Sequence, residues 1–418
     1  MFRLAQKRIL VVSQHYWPEN FRITDLCAGF VANGCAVDVL CGLPNYPAGE
    51  WFEGYRYTGP RRETHDGAEI FRAGEIRRRG NTGLRIFLNY ISYPVTALLN
   101  LPRLHGRKYD AVFCYETSPV LMLLPAIVYA KLHRVPLTAY VLDLWPENLY
   151  SVLPVQNRAL RAVAAGVSHW LYRRCNRLIA MSPALGERLK SIAPRAECTV
   201  IPQYCEDFYA QEVHDAALER RFAGRFNVLF AGNISPAQNL PLLVECARRL
   251  KADARRDIHF IIVGSGMSLA ALQKEIDDAG VAPWFTFEGR RPAEVIPMYH
   301  TVANALFAAL NDSADVGLTV PAKIASYFAA GRPCLVSANG EAARVVLESG
   351  AGLVSSAGDA EELYQNLLAL AGLPAEARAR MGKAGFAYYQ AHFRRAPLLQ
   401  KLEDFVLSGK ETGAVQRL

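Results

Sequence analysis

Residues 315–335 read DVGLTVPAKIASYFAAGRPCL, a pattern that predicts strand, turn, helix, turn and strand, with Lys323 in the first turn of the helix. Pro321 suits a first helical position because its missing N–H is not needed there. Gly331 and Pro333 then end the helix. A helix N-terminus already carries free N–H groups and partial positive charge, so a lysine added to it makes sense if an anion such as a phosphate is bound. Taken alone, a surface lysine whose stem covers apolar area also explains it. Three further turns favour the anion. Gly232-Asn233 and Gly264-Ser265-Gly266 each follow an apolar run and let a ligand approach the backbone closely. Gly289-Arg290-Arg291 offers two guanidiniums suited to phosphate or carboxylate. Together they point to a nucleotide diphosphate site in the second half of the chain. No GxGxxG follows the first strand of either half, which argues against nicotinamide or flavin chemistry.

The first half holds groups suited to proton handling. In SQHYWPENFR, Pro18 stiffens a loop bearing His15, Glu19, Asn20 and Arg22; in YVLDLWPENL, Asp143 and Glu147 flank Trp145-Pro146. His15, Asp143 and Glu147 are the candidates for proton transfer or for positioning an acceptor. Hydrogen bonds that merely fix a loop are the alternative, above all for Glu147. The tetrapeptide Trp-Pro-Glu-Asn occurs in both loops. Such a short echo arises readily by chance, although the two copies could shape one apolar-walled pocket. PNYP at 44–47 reads as a rigid turn, with Tyr46 either shaping it or lining the acceptor path.

These loops need strands to carry them. Short runs rich in Val, Ile, Leu and Phe alternate with helical patterns, as in parallel α/β sheets covered on both faces. In the first half they are 8–13, 36–41, 68–73, 110–115, 136–142, 177–182 and 198–203; in the second, 226–232, 257–264, 284–289, 304–310, 333–337 and 351–356. The polar stretch 205–224 reads as a linker. The expected organisation is therefore one domain over 1–204, a second over 225–392 that carries the nucleotide site, and a tail over 393–418. Two doubly wound, Rossmann-like domains of this kind face a cleft at the carboxyl ends of their strands.

The net charge of +8 is concentrated. Residues 72–108 contain Arg72, Arg77, Arg78, Arg79, Arg85, Arg103, Arg107 and Lys108 against the single acid Glu75. Within them, 84–101 reads LRIFLNYISYPVTALLNL. Its polar residues Arg85, Asn89, Ser92, Thr96 and Asn100 form one narrow stripe on an apolar helix. Pro94 and these polar groups disfavour a membrane span. An apolar helix bracketed by cations suits an anionic membrane surface; a core helix with basic flanks is the alternative. No nucleic-acid module accompanies the charge. Nine scattered cysteines without metal-site spacing read as reduced, buried thiols of a cytoplasmic chain, and the apolar run ILVV is too short for a signal peptide.

The second half resembles the GT-B glycosyltransferases of family 4 from Phe226 to about Leu370, with PAKIASYFAAGRPCLVSANGE corresponding to their donor-binding segment. The first half is similar to a bacterial surface-polysaccharide subgroup that includes N-acetyl-L-fucosamine transferases. SQHYWPENFR, GLPNYPAGEWFEGY and YVLDLWPENL carry that likeness. The resemblance implies a retaining transfer of an N-acetylated hexosamine or deoxyhexosamine from a UDP-sugar to a polyprenyl-diphosphate-linked saccharide. It implies an acceptor-binding domain over 1–204, a donor-binding domain over 225–392 and a tail over 393–418 that could return to the first domain, and it implies lipopolysaccharide, O-antigen or capsule synthesis at the inner face of the cell membrane. The chain departs from the family pattern at Asn233 and Gln238, where an Arg and a Lys are common, and at Leu318 and Ser326, where two glutamates are common. Lys323, Arg290 and Arg291 are expected to supply the missing positive charge, and Ser326, Glu341 or Asp315 the ribose contact. Leu142 stands where a histidine is usual, which leaves Asp143. With no DxD motif, the expectation is a donor site without metal. A sugar-nucleotide epimerase and a non-catalytic nucleotide-sugar-binding protein are the rival readings.

Overall fold

In the computed structural model, which describes residues 6–152, 157–312 and 316–408, each of these apolar runs is a strand. The first unit contains β1 (Arg8–Val12), β2 (Ala36–Cys41), β3 (Arg62–His65), β4 (Ala68–Arg72), β5 (Ala111–Glu116), β6 (Leu137–Val141), β7 (Arg177–Ala180) and β8 (Glu197–Val200). They form one sheet in the order β3-β4-β2-β1-β5-β6-β7-β8, parallel except for β3. β3 escapes a hydropathy reading because its residues, RETH, alternate between partly covered and exposed at the sheet edge. Its signal is the turn Asp66-Gly67, both at positive φ (47° and 78°), which joins it to β4 as a tight hairpin.

The second unit contains β9 (Phe226–Ala231), β10 (Ile258–Val263), β11 (Phe285–Gly289), β12 (Ala305–Ala309), β13 (Cys334–Ser337) and β14 (Gly352–Ser355). Their order is β11-β10-β9-β12-β13-β14, parallel throughout. This is the doubly wound arrangement, in which the strand order reverses between β9 and β12 and ligands bind at the carboxyl ends. Phe230, Phe260 and Phe307 fill one face of the sheet, and Leu229, Ile261 and Leu306 fill the other. The outward alternation of an exposed sheet is therefore missing.

One compact unit comprises the chain to Ile201 together with the chain from Leu399; the other runs from Pro202 to Leu398. The stretch 205–224, expected as a linker, is built into the second unit. It forms a short turn at Asp207–Ala210 and a helix at Ala216–Phe222, and Cys205 and Phe222 are core residues. All nine cysteines are free thiols, and eight of them are buried.

Candidate functional site

In the second unit, three loops at the carboxyl ends of the strands are laced together by their own backbones. Gly232 N–H donates to Val263 O (2.9 Å), Ile234 N–H to Ser265 O (2.9 Å), and Gly264 N–H to Gly289 O (2.8 Å). A Cβ at Gly264 would stand 1.9 Å from the Gly232 carbonyl oxygen, and one at Gly266 would stand 2.1 Å from that of Ile234. These two glycines are thus needed for loop-on-loop packing, a role that a reading for ligand access alone does not capture. A Cβ at Gly232, by contrast, would lie 3.3 Å from Lys323 Nζ.

Lys323 opens the helix Ala322–Ala329, whose N-cap is Pro321. The half-buried side chain lays its ammonium 4.0 Å from the centroid of the Phe230 ring and donates a hydrogen bond to Gln238 Oε1. Among the described residues no carboxylate pairs with it. Burial lowers its pKa from 10.5 to about 7. The structure thereby brings Gly232, Gln238 and Lys323 together. Asn233 is exposed beside them. Arg290 is exposed, and Arg291 reaches Glu288 at 3.4 Å.

The expected ribose contacts are less available. Ser326 Oγ donates back to Lys323 O within its own helix (2.9 Å). Glu341 is buried at the start of the helix Gly340–Ser349, where Arg344 Nη2 lies 2.8 Å from it. Asp315 lies outside the described residues. Among the described residues no three His, Cys, Asp or Glu side chains gather as a metal ion would require.

In the first unit, His15 is buried against Glu19, with Nδ1 2.7 Å from Oε2. The other Glu19 oxygen accepts the backbone N–H groups of Asn45 and Tyr46, each at 2.7 Å. One carboxylate thus ties the 14–22 loop to the PNYP turn. The His15 ring stacks on Phe21 (centroids 4.7 Å apart), with Tyr46 tilted beside it at 5.3 Å. Asn20 is exposed, and Arg22 stands at the N-cap position of the helix Ile23–Ala32.

Asp143 follows β6 and is organised by Ser118. That hydroxyl accepts from Trp145 Nε1 (3.1 Å) and Asn148 Nδ2 (2.8 Å) and donates to Asp143 Oδ2 (3.1 Å). Desolvation raises the pKa of Asp143. Glu116, at the end of β5, was not singled out from the sequence. It is wholly buried; Tyr172 Oη donates to its Oε2 at 3.4 Å, while its Oε1 has no hydrogen-bond partner among the described residues. Burial, reinforced by Asp143, pushes its carboxyl well above the usual range. Its signal was a lone acid closing the apolar run AVFCYE. Glu147 pairs with Arg188 at 3.0 Å, which favours the loop-fixing role. The two Trp-Pro-Glu-Asn copies therefore serve different ends, with Glu19 holding backbone and Glu147 holding an arginine.

The basic segment is only partly a surface patch. Arg78, expected to face a membrane, is buried between the Tyr46 and Tyr90 rings, 5.2 and 5.0 Å from their centroids, and donates to Asn89 Oδ1 at 3.1 Å. It joins the His15 and Tyr46 cluster to Tyr90, whose ring meets Trp145 at 5.8 Å. Arg107 bridges Asp38 and Glu69 at 2.8 Å each. Arg72 lies in the core against Glu63. Arg77 pairs with Glu50 at 2.6 Å. Arg79, Arg85, Arg103 and Lys108 are the exposed remainder.

Residues 20–203 match the glycosyl transferase 4-like domain, and residues 225–372 match the glycosyl transferases group 1 domain. The chain is a GT-B glycosyltransferase. Over 311 residues this glycosyltransferase is 25% identical to the GDP-mannose-dependent alpha-(1-6)-phosphatidylinositol monomannoside mannosyltransferase of Mycolicibacterium smegmatis, covering 71% of this chain and 78% of the relative. Its fold is that of sucrose-phosphate synthase from Thermosynechococcus elongatus (TM-score 0.74, 14% identity, 96% of this chain and 98% of that one). It is equally that of Anabaena HepE in complex with UDP (TM-score 0.71, 14% identity, 96% of this chain and all of that one).

Proposed function

We propose that this glycosyltransferase transfers a sugar, with retention of configuration, from a UDP-sugar to a polyprenyl-diphosphate-linked saccharide in bacterial surface-polysaccharide synthesis. The sugar class is an N-acetylated hexosamine or deoxyhexosamine, and the enzyme works at the inner face of the cell membrane. The observation that carries the reading is the Lys323 ammonium. It is partly withdrawn from water at the start of a helix, with an amide oxygen and an aromatic ring as company and, among the described residues, no carboxylate. A cation so placed is incomplete without an anion, and a diphosphate supplies one. As the sugar leaves, charge develops on that diphosphate, and Lys323 with the helix N–H groups stabilises it without a divalent ion. The HepE complex with UDP supports the donor class, and the mycobacterial relative's phosphatidylinositol monomannoside supports a lipid-borne acceptor. In the first unit, Asp143, Arg78 and the His15–Glu19 pair face the acceptor.

Calorimetric titration with UDP, with and without EDTA, tests this. Binding is expected to survive EDTA and to weaken at least about tenfold in Lys323→Met, the scale of one charge-assisted contact. The relative's use of GDP-mannose makes GDP the second nucleotide to titrate. Failure of UDP, GDP and dTDP alike would leave a binding site that has decayed. Release of UDP from UDP-sugars only when lipid-linked acceptor is added separates transfer from epimerisation.

A further inference from the structure

The helix Gly83–Asn100 is turned opposite to a surface helix. Its polar stripe points inward, where Asn89 donates to Ile76 O (2.7 Å), Ser92 Oγ accepts Ile76 N–H (2.8 Å) and Thr96 donates to Gly74 O. Tyr90, Tyr93 and Ala97 are buried on that inner side, but the opposite face leaves a row of apolar residues in solvent: Leu84, Phe87, Ile91, Val95 and Leu99 are exposed, the first and last by 69 and 76%. A second helix, Arg158–Tyr172, does the same with Leu160, Val163, Val167 and Trp170. Both pack against the helix Leu123–His133 and the turn before it, so they are neighbours in one unit. Among the described residues, most of the large exposed apolar side chains lie on these two helices.

We infer that the first unit docks on a bilayer bearing anionic headgroups, through the outer faces of helices Gly83–Asn100 and Arg158–Tyr172 together. Charge decides the occupant. Residues 83–109 and 157–186 contain no Asp or Glu. Exposed arginines lie on and flank both helices, with Arg85 and Arg103 at the first, where Arg79 also stands 3.7 Å from Glu50, and Arg158, Arg161, Arg173 and Arg174 at the second. Arg174 stands 5.1 Å over the ring of the exposed Trp170, an aromatic–cation pair suited to the boundary between acyl chains and headgroups. A second copy of the chain would set arginine rim against arginine rim, whereas anionic lipid neutralises both. The inner side of the first helix carries Asn89 and Tyr90 to Arg78 and Trp145, so docking its outer face brings the candidate acceptor groups to the lipid surface.

The inference rests on the lipid-acceptor reading above, and vesicle sedimentation of the full chain tests it separately. The protein is expected to sediment with phosphatidylglycerol-containing vesicles and not with pure phosphatidylcholine, and less so at high salt. Phe87→Ser with Val95→Ser, and Val163→Ser with Trp170→Ser, should each reduce partitioning by at least about tenfold. Leu347→Ser, an exposed apolar site in the second unit, should leave it unchanged. UDP titration and thermal melting of every variant report on folding and donor binding. Variants that sediment like the parent overturn the inference, and so does a parent that ignores anionic vesicles while still binding UDP. A dimer of the parent that the same substitutions dissociate would overturn it in favour of self-association. Vesicle binding without nucleotide binding would instead sink the donor reading and leave this one standing.

Discussion

Lys323 connects the donor site to pH. Its pKa near 7 in the folded chain lies below the 10.5 of an ordinary lysine, so between those values the unfolded chain binds more protons. Folding stability from this group therefore rises with pH across that window and is lost as pH falls toward 7. A bound diphosphate reverses the local preference, because it favours the charged ammonium. Near pH 8, above the pKa of Lys323 in the unliganded protein, nucleotide binding should take up protons. Phosphate itself, with its second ionisation at about 6, contributes little there. Calorimetry in two buffers of different ionisation enthalpy measures the uptake, which should vanish in Lys323→Met. An unchanged uptake in that variant would assign the proton to another group.

At the scale of the element, the helix Gly83–Asn100 is held by what its polar stripe does for its neighbour. The irregular segment after β4 runs along the helix without a strand partner, and Asn89, Ser92 and Thr96 supply the hydrogen bonds its backbone would otherwise lack. Asn89 Oδ1 also accepts from Gln14 and from the buried Arg78. Asn89→Ala should therefore lower stability by about 3 kcal/mol, because it leaves several buried groups unpaired. Ile91→Ser on the outer face should stay within about 0.5 kcal/mol. Urea denaturation that ranks the two the other way would mean the helix is turned apolar side inward. The amphipathic pattern was visible in the sequence, but which face met solvent was not. That depended on the unpaired backbone of residues 74–78, distant in no linear sense yet readable only once the fold had placed it.

At the scale of the whole molecule, the chain closes its first unit with its last helix. In Arg395–Leu407, Leu399, Leu402 and Val406 are buried, and Leu399 packs so closely on Gly29 that a Cβ there would meet it at 2.4 Å. Asn33 donates to Glu403 at 2.6 Å, and Arg177 reaches the carbonyls of Phe405 and Ser408. Leu402→Ala should destabilise the first unit by about 2–5 kcal/mol. Four of the five tryptophans, at 17, 51, 145 and 170, lie in that unit, so tryptophan fluorescence during denaturation follows it. A second-unit transition that moves instead would place the helix elsewhere.

By itself the sequence determined every strand of both sheets except the edge strand β3, because buried parallel strands need continuous apolar runs, and it determined the lysine at the start of a helix, because proline and glycine punctuate that segment. It also carried the family likeness that names the chemistry. Tertiary structure alone decided which charges were free. Arg72, Arg78 and Arg107 count as surface cations in a composition, yet each is buried or bridged by acids from other strands and turns. It likewise decided that Glu116 ends wholly buried beside Asp143 and that residues 205–224 belong to a core. Charge and hydropathy are local properties of a residue, whereas burial and pairing belong to neighbours brought from far along the chain.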